Sequence, residues 1–201
     1  MASRALRGAF ALGGRVSVSA ARRGRTRVGR TCETRAVSGG ARATRAVPMR
    51  VVCVSKGGGR AFDECVAEYA ERCKRYAPFD EVQAKQNPKN VKDNDMQKEH
   101  EGERVMKCVS ARDFVVLMDE RGDEVSSEQL AALVAKIGDE GYERAVFVIG
   151  GPFGHGSQVI DRANAKIRLS KMVLNHQVAR LVLVEALYRS WTILRGEPYH
   201  H

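Results

Sequence analysis

The sequence predicts an α/β domain built on a mostly parallel sheet of five to six strands, and three observations support this prediction. From residue 49 onward, short β-branched runs alternate with segments of helical periodicity, as expected where helices connect parallel strands. Four glycines follow the fourth run within seven residues, a pattern typical of a loop at the carboxyl end of a buried strand. The first 48 residues show neither pattern, so the folded domain is expected at residues 49–201.

The predicted strands and helices follow one another in a regular order. The strands are expected at residues 49–54, 79–84, 113–118, 145–149 and 167–169. Apolar and aromatic side chains recur at helical spacing from Phe62 to Tyr76, and a strongly charged helix is expected at residues 93–109. Ser126 and Gln129 have the spacing of a capping box, which predicts the start of a third helix.

The last predicted helix, residues 176–194, is apolar over most of its circumference. Such a helix must be covered on more than one side. One cover is expected to be the sheet of the same chain, and a second subunit of a homodimer could supply the other. A central position within a monomer would explain the pattern equally well and stays open here.

Charge separates an amino-terminal segment from the rest of the chain. Of 34 basic and 24 acidic side chains, eleven arginines and the single acid Glu33 fall within residues 1–48, and the remainder balance to zero. An arginine-rich, nearly acid-free segment is typical of an organellar transit peptide. We therefore expect residues 1–48 to direct the protein to the chloroplast, or alternatively to the mitochondrion. A disordered RNA-binding tail is the competing interpretation.

The sequence favours neither a membrane protein nor a metal protein. No stretch reaches the roughly 18 uninterrupted apolar residues needed to cross a bilayer. The cysteines after residue 48 form no C-x-x-C pair and have no zinc-like spacing with histidine. We expect these thiols to be reduced and mostly buried, and we expect no metal site.

The glycine-rich loop at residues 150–156 is the main candidate for a ligand site. Glycine lets backbone approach a ligand where side chains would collide, although glycine after a strand is also common turn chemistry. The loop does not match G-x-x-x-x-G-K-[ST], and no acid follows at the position that binds a ribose in a dinucleotide fold. Nucleoside triphosphate and NAD sites are therefore disfavoured.

Several segments together resemble one known family. The loop Ile149-Gly150-Gly151-Pro152, the run at residues 167–180, and the segments at residues 185–189 and 196–200 are similar to the ribosomal RNA large-subunit methyltransferase H family. The resemblance extends over residues 49–201. It implies a SPOUT-type α/β fold with a deep carboxyl-terminal trefoil knot, which periodicity alone could not predict. It also implies methylation of N3 of a pseudouridine in large-subunit rRNA by a homodimer.

The resemblance further implies which residues bind the methyl donor, S-adenosyl-L-methionine. Carried over position by position, the cofactor-binding residues are Met118, Gly151, Ser170, Lys171, Met172, Val173, Leu174 and Asn175. The family commonly has leucine in place of Met118 and proline in place of Asn175. The first change conserves volume, and the second frees the backbone before the last helix while leaving a good helix cap. We expect the role of the site to be unchanged.

His176, Tyr199 and His200 are the candidate catalytic residues on the acceptor side. His176 adjoins the cofactor segment, although a histidine at a helix start is more often a cap. Tyr199 and His200 belong to the terminal motif shared with the family, in a tail that would otherwise be expected to fray. The competing function is a ribosome-associated RNA-binding assembly factor with the same fold and no transfer activity. A small-molecule enzyme with a phosphate in the glycine loop is a third hypothesis.

Overall fold

A computed structural model of the protein describes residues 44–55, 59–86 and 93–199. Within these residues, strands and helices alternate along the chain. The strands are β1 (Met49–Ser55), β2 (Phe79–Lys85), β3 (Asp113–Glu124), β4 (Arg144–Ile149) and β5 (Ala165–Arg168), and the helices are α1 (Arg60–Lys74), α2 (Asn94–Met106), α3 (Ser127–Asp139), α4 (Ser157–Arg162) and α5 (His176–Arg195).

The five strands form one sheet in the order β2-β1-β4-β3-β5, and every neighbouring pair is parallel. In the register, Val51 of β1 lies opposite Glu81 of β2 on one side and Phe147 of β4 on the other. The predicted α/β architecture with a parallel five-stranded sheet is confirmed. All five strands end at the same edge, which is where parallel sheets bind ligands.

Three parts of the secondary structure differ from the prediction. β3 continues six residues beyond Met118, and its register shifts so that both Met118 and Asp123 pair with Ile167. The extension is polar, so it lacks the apolar signal of a buried strand. The helix α4 was not predicted, because six residues are too few to show a helical period. Leu169 lies just outside β5.

Helices cover both faces of the sheet. α1, α3 and α5 pack on the face that includes Val51, whereas α2 and α4 pack on the face that includes Val52. Neighbouring residues of a strand point to opposite faces, so a strand covered on both sides is apolar throughout. This explains the continuous apolar run of β1. Val47, which precedes the expected start of the domain, is also buried in the core at 1% exposure.

The last helix, α5, lies between α1 and α3 and over the sheet. Leu183, Leu187 and Trp191 are fully buried there. Three neighbours from the same chain thus cover much of the apolar circumference of this helix, while Val182 stays 36% exposed. The homodimer remains a prediction.

Buried polar contacts fix the amino-terminal half of α5. Arg180 is 4% exposed, and its guanidinium contacts Glu81 of β2 and, at 2.6 Å, Asp63 of α1. Burial is the largest single influence on the pKa of Arg180 and lowers it. The hydrogen bonds and charges of Glu81 and Asp63 together outweigh burial and raise the pKa above its ordinary value. Removing one partner of a buried ion pair leaves the other charge buried and uncompensated. This cluster therefore stabilises the position of the start of α5. Asn175 caps the helix by accepting a hydrogen bond from Gln177 N at 2.9 Å.

Candidate functional site

A cavity of about 470 Å³ opens beside residues 118–121 of β3 and at the carboxyl ends of β4 and β5. Ligand pockets in proteins usually have volumes of roughly 300–1,000 Å³, so this one has room for a ligand of nucleoside size. It is enclosed by residues 118–121 of β3, the loop at 149–155, residues 168–170 and 172–174, and by His176 and Ala179 of α5, with Lys98 of α2 and Ile160 of α4 at its side.

The cavity brings together most of the residues that the sequence assigned to the cofactor. Those on its wall are Met118, Gly151, Ser170, Met172, Val173 and Leu174. Two others lie beside it with different contacts. Lys171 is exposed and pairs with Glu124 at 3.5 Å, and Asn175 caps α5 as described above. The glycine loop and the segment starting at Ser170 are therefore neighbours in space, although Ser170 lies fourteen positions after Gly156, the last glycine of the loop.

The loop after β4 is folded back on itself. Gly151 and Gly154 form an antiparallel bridge, with Gly154 N donating to Gly151 O at 3.0 Å. Gly154 has φ +92°, in the left-handed region that glycine adopts without strain. A Cβ at Gly150 would lie 2.8 Å from Gly154 O. At these positions glycine is thus required by the loop's own turn.

His155 is a site residue that the sequence analysis missed. Its Nε2 lies 2.8 Å from Met118 O, so the side chain links the glycine loop to the end of β3 across the cavity wall. Burial lowers the pKa of His155 below its ordinary value of 6.5, although the Met118 carbonyl opposes that shift. The neutral ring is the form favoured here. The position of His155 between two glycines of the loop could have marked it as a site residue. No sequence pattern, however, indicated that its partner is the carbonyl of Met118.

The mouth of the cavity carries exposed apolar side chains. Met172 is 74% exposed, Val173 is 81% exposed and Phe153 is 44% exposed. Ser170 holds the backbone under this rim, since its Oγ accepts a hydrogen bond from Met172 N at 3.0 Å. Large side chains left this open are typical of a surface that binds a ligand or another macromolecule.

The wall also carries charged groups of both signs, which the sequence analysis did not assign. Asp119 Oδ1 accepts a hydrogen bond from Arg121 N at 2.9 Å, within the stretch of β3 where its register with β5 shifts. Arg168 donates to Glu124 at 2.8 Å, while its buried Nε has no hydrogen-bond partner among the described residues. A buried N–H without an acceptor is unfavourable, so a polar ligand that reached Arg168 would satisfy it.

Two of the three predicted acceptor-side residues, His176 and Tyr199, lie apart from each other in this chain. His176 lies on the cavity wall at the first turn of α5. Tyr199 instead packs edge-on against Tyr188 and donates to Glu185 at 3.2 Å, about 14 Å along α5 from His176. Burial raises the pKa of Tyr199, so its hydroxyl stays protonated. His200 lies outside the described residues.

Taken together, the cavity suits a ligand that has apolar, hydrogen-bonding and charged parts. Apolar side chains, Ser170 and the glycine loop line it, together with Lys98, Arg121, Arg168 and two acidic side chains, Asp119 and Glu120. Within the described residues, no group of three or more histidine, cysteine or acidic side chains is placed to hold a metal ion. In the same part of the chain, no helix combines the length and apolarity needed to span a membrane.

Comparison with known proteins places the chain in a family. The family described as "Predicted SPOUT methyltransferase" matches residues 47–200. An Arabidopsis thaliana protein named for a proposed RNA methyltransferase activity is 46% identical over 173 residues, 86% of this chain and 87% of that relative. The enzymes named ribosomal RNA large subunit methyltransferase H from Christiangramia forsetii and Parabacteroides distasonis are each 40% identical, covering 76% and 75% of this chain and 98% and 97% of their own length.

The family match at residues 47–200 spans the whole cavity and every element that encloses it. The predicted family resemblance is therefore confirmed, and the chain belongs to the SPOUT methyltransferases and, within them, to the ribosomal RNA large subunit methyltransferase H family.

Proposed function

We propose that this methyltransferase uses S-adenosyl-L-methionine to methylate N3 of a pseudouridine in the large-subunit rRNA of an organellar ribosome. The observation that carries the proposal is the shared cavity of the glycine loop and the segment from Ser170 to Leu174. Curated relatives at 40% identity are named for an activity on large-subunit rRNA. The choice of the N3 atom and of pseudouridine rests on the family resemblance.

The residues present fit the methyl donor. Met118, Met172 and Leu174 offer apolar surface for an adenine ring, and the loop backbone can form hydrogen bonds to its edge. Arg168 Nε, which lacks an acceptor within the described part of the chain, suits a carboxylate. When bound, this donor supplies a methyl group activated by a sulfonium.

The chain itself mainly has to orient the two reactants. Holding reacting atoms in line can contribute roughly 7–11 kcal/mol to lowering the barrier. The N3 position of the acceptor carries a proton that must leave, so a base near the transfer path accelerates the reaction. His176 stands at the cavity wall and is the side chain that we assign to this proton, directly or through a water. His155 is less suited, because the Met118 carbonyl already engages its Nε2.

We further propose that the active form is a homodimer. Tyr199 follows α5 and packs against it at Glu185 and Tyr188, away from the cavity of its own chain. At the same time the cavity mouth exposes Met172 and Val173, which a second subunit could cover. In this arrangement the tail of one subunit would complete the acceptor side of the other. Sedimentation equilibrium tests the proposal: a monomer at micromolar concentration would contradict it.

The trefoil knot belongs to the same proposal. β3 separates β4 from β5 in the sheet, and the backbone at Gly122 passes so close to Ile167 that an added Cβ would lie 2.6 Å from its carbonyl carbon. We infer that the chain from β4 to α5 is threaded past the extended end of β3. A knotted chain should refold from denaturant markedly more slowly than unknotted domains of similar size.

The proposed location is the chloroplast, on the strength of the arginine-rich residues 1–48. Residues 1–43 lie outside the described part of the structure. Imaging of the full chain fused at its carboxyl end to a fluorescent protein tests this. Mitochondrial signal would establish the alternative compartment, and cytosolic signal would overturn the transit peptide.

The function is tested by binding and by mapping the product. Titration calorimetry with S-adenosylmethionine should show saturable binding, whereas an assembly factor without transfer activity should show none. Mass mapping of organellar large-subunit rRNA should then reveal a methylpseudouridine that disappears when the protein is removed. Persistence of every such residue would overturn the proposed activity.

The role of His176 has its own test. His176→Ala should lower the rate of transfer by about 10²-fold or more, which is typical for loss of a general base, and should leave donor binding nearly unchanged. His100→Ala is the matched control, because His100 is a half-exposed histidine of α2 outside the cavity wall. Equal rates for the two variants would remove His176 from the mechanism.

A further inference from the structure

Glu101 of α2 is a buried carboxylate that is only half satisfied. Its side chain is 2% exposed. Oε1 accepts a hydrogen bond from Gln97 Nε2 at 3.0 Å, whereas Oε2 has no partner among the described residues. In that same part of the chain no basic side chain pairs with it. A buried charge without a partner is costly, so a residue of this kind needs a reason to be there.

Glu101 lies directly behind the glycine loop. A Cβ built at Gly151 would overlap Oε2 of Glu101, and it would lie 3.3 Å from Val54 Cγ1. Gly151 itself is part of the cavity wall. Only the backbone of the loop therefore separates the unpartnered carboxylate oxygen from the cavity. The missing side chain at Gly151 makes room for Glu101 on the side away from the ligand.

The carboxylate is held in this position by the packing of α2. Ser157 N donates to Glu99 Oε1 at 2.9 Å, and Gln158 Nε2 donates to Glu99 O at 2.8 Å. A Cβ at Gly156 would lie 2.7 Å from Lys98 O, so the backbones of α2 and the β4–α4 connection are in close contact. The ammonium of Lys98 pairs with Asp95 at 2.6 Å and does not neutralise Glu101.

We propose that Glu101 is a specificity-determining residue that makes the cavity prefer a positively charged ligand. The inference rests on the proposed function, in which the methyl donor carries a sulfonium charge and its demethylated product, S-adenosylhomocysteine, is neutral at that sulfur. A negative charge one backbone layer from the cavity, where water cannot screen it well, stabilises the sulfonium. The same charge does nothing for the thioether of the product. Glu101 thereby helps the enzyme to bind donor and release product.

The test compares two ligands on two variants. Glu101→Gln keeps the shape and removes the charge, and Glu103→Gln is the matched control, because Glu103 is an exposed acid of the same helix. Titration calorimetry with S-adenosylmethionine and with S-adenosylhomocysteine gives four dissociation constants beside the wild-type pair. We expect E101Q to weaken binding of the donor by about tenfold, with binding of the product changed less than about twofold. E103Q should change neither.

If Glu101 had a purely structural role, E101Q would weaken the binding of both ligands to the same extent, and that result would overturn the inference. An unchanged affinity of E101Q for the donor would overturn it too. Thermal melting of each variant shows whether it is folded. If E101Q does not fold, the two dissociation constants of the wild-type protein are compared instead. Product binding as tight as donor binding would contradict a cation-selective cavity. Failure of the wild-type protein to bind either ligand would overturn the proposed function itself, and this inference with it.

Discussion

The two ends of α5 differ in what surrounds them. At the amino-terminal end, His176 and Ala179 face a cavity, and the preceding residues Met172 and Val173 are largely exposed. At the carboxyl-terminal end, Trp191 is fully buried and stacks in parallel with Tyr76 at a ring distance of 6.1 Å. One end is thus open and available to a ligand, while the other is closed by aromatic packing.

This contrast indicates that stability and binding depend on separate parts of the same helix. Buried aromatic side chains contribute large areas of apolar contact, so the closed end should dominate the free energy of unfolding. The open end has few such contacts, and the cavity beside it is also lined by Arg168 of β5, whose Nε has no hydrogen-bond partner among the described residues. Variants at the closed end should therefore lower the thermal midpoint, whereas variants at the open end should lower the affinity for the methyl donor.

The largest effect is expected from Trp191→Ala at the closed end. Truncation of a fully buried tryptophan typically costs about 3–5 kcal/mol, and here it also removes the contact of Nε1 with Met49 Sδ at 3.4 Å. Chemical denaturation should show this loss, while the folded fraction binds the donor with unchanged affinity. Val182→Ala, at a 36% exposed position of the same helix, is the control and should cost much less. A comparable loss of unfolding free energy in both variants would contradict the assignment of stability to the closed end.

Gly151→Ala should have the next largest effect, at the open end. The added methyl group would overlap Glu101 and push the loop into the cavity, and overpacking of this kind costs about 1–3 kcal/mol. We expect calorimetry to show donor binding weakened by at least about fivefold. Gly59→Ala serves as the control, because the nearest atom to its new Cβ would be Phe62 Cδ2 at 4.0 Å. Normal binding by G151A would show that the loop tolerates the displacement.

Tyr199→Phe tests the closed end more gently. It removes the hydrogen bond from the tyrosine hydroxyl to Glu185 and leaves the ring contact with Tyr188 in place. The expected loss is about 0.5–1.5 kcal/mol in the free energy of unfolding, with no change in donor affinity. Tyr142→Phe, at a ring that packs edge-on against Phe114, is a matched control. A marked loss of donor affinity in Y199F would mean that the tail reaches a donor site.

The smallest effect concerns pH. Burial lowers the pKa of His155, so the folded state holds fewer protons than the unfolded state as the pH falls below the ordinary histidine value of 6.5. The contribution of His155 to stability is therefore complete above that pH and decreases toward the lower folded-state pKa. As the pH is lowered from 6.5 toward the folded-state pKa, the thermal midpoint of His155→Gln should fall less steeply than that of the wild-type protein. Parallel curves for the variant and the wild-type protein would contradict this assignment.

Much of the fold was predictable because its signals are local. The β-branched run of β1, the capping box of Ser126 and Gln129, and the apolar stripe of α5 each follow from neighbouring residues, and the structure contains all three. The polar extension of β3 and the short helix α4 carried no such signal. Among the site residues, Met118, Gly151 and Ser170 were named through the family resemblance, and their common cavity was not derivable from spacing.

The alternation of strands and helices, the neutral charge of the domain and the position of the glycine loop could be predicted, because they depend on composition and on short-range periodicity. Which groups share the cavity wall depends instead on tertiary packing. His155 contacts a carbonyl 37 residues away, and Glu101 lies behind Gly151 because the packing of α2 against α4 and the glycine loop brings it there. Contacts of this kind arise from the packing of whole elements, and a one-dimensional pattern of hydrophobicity does not encode them.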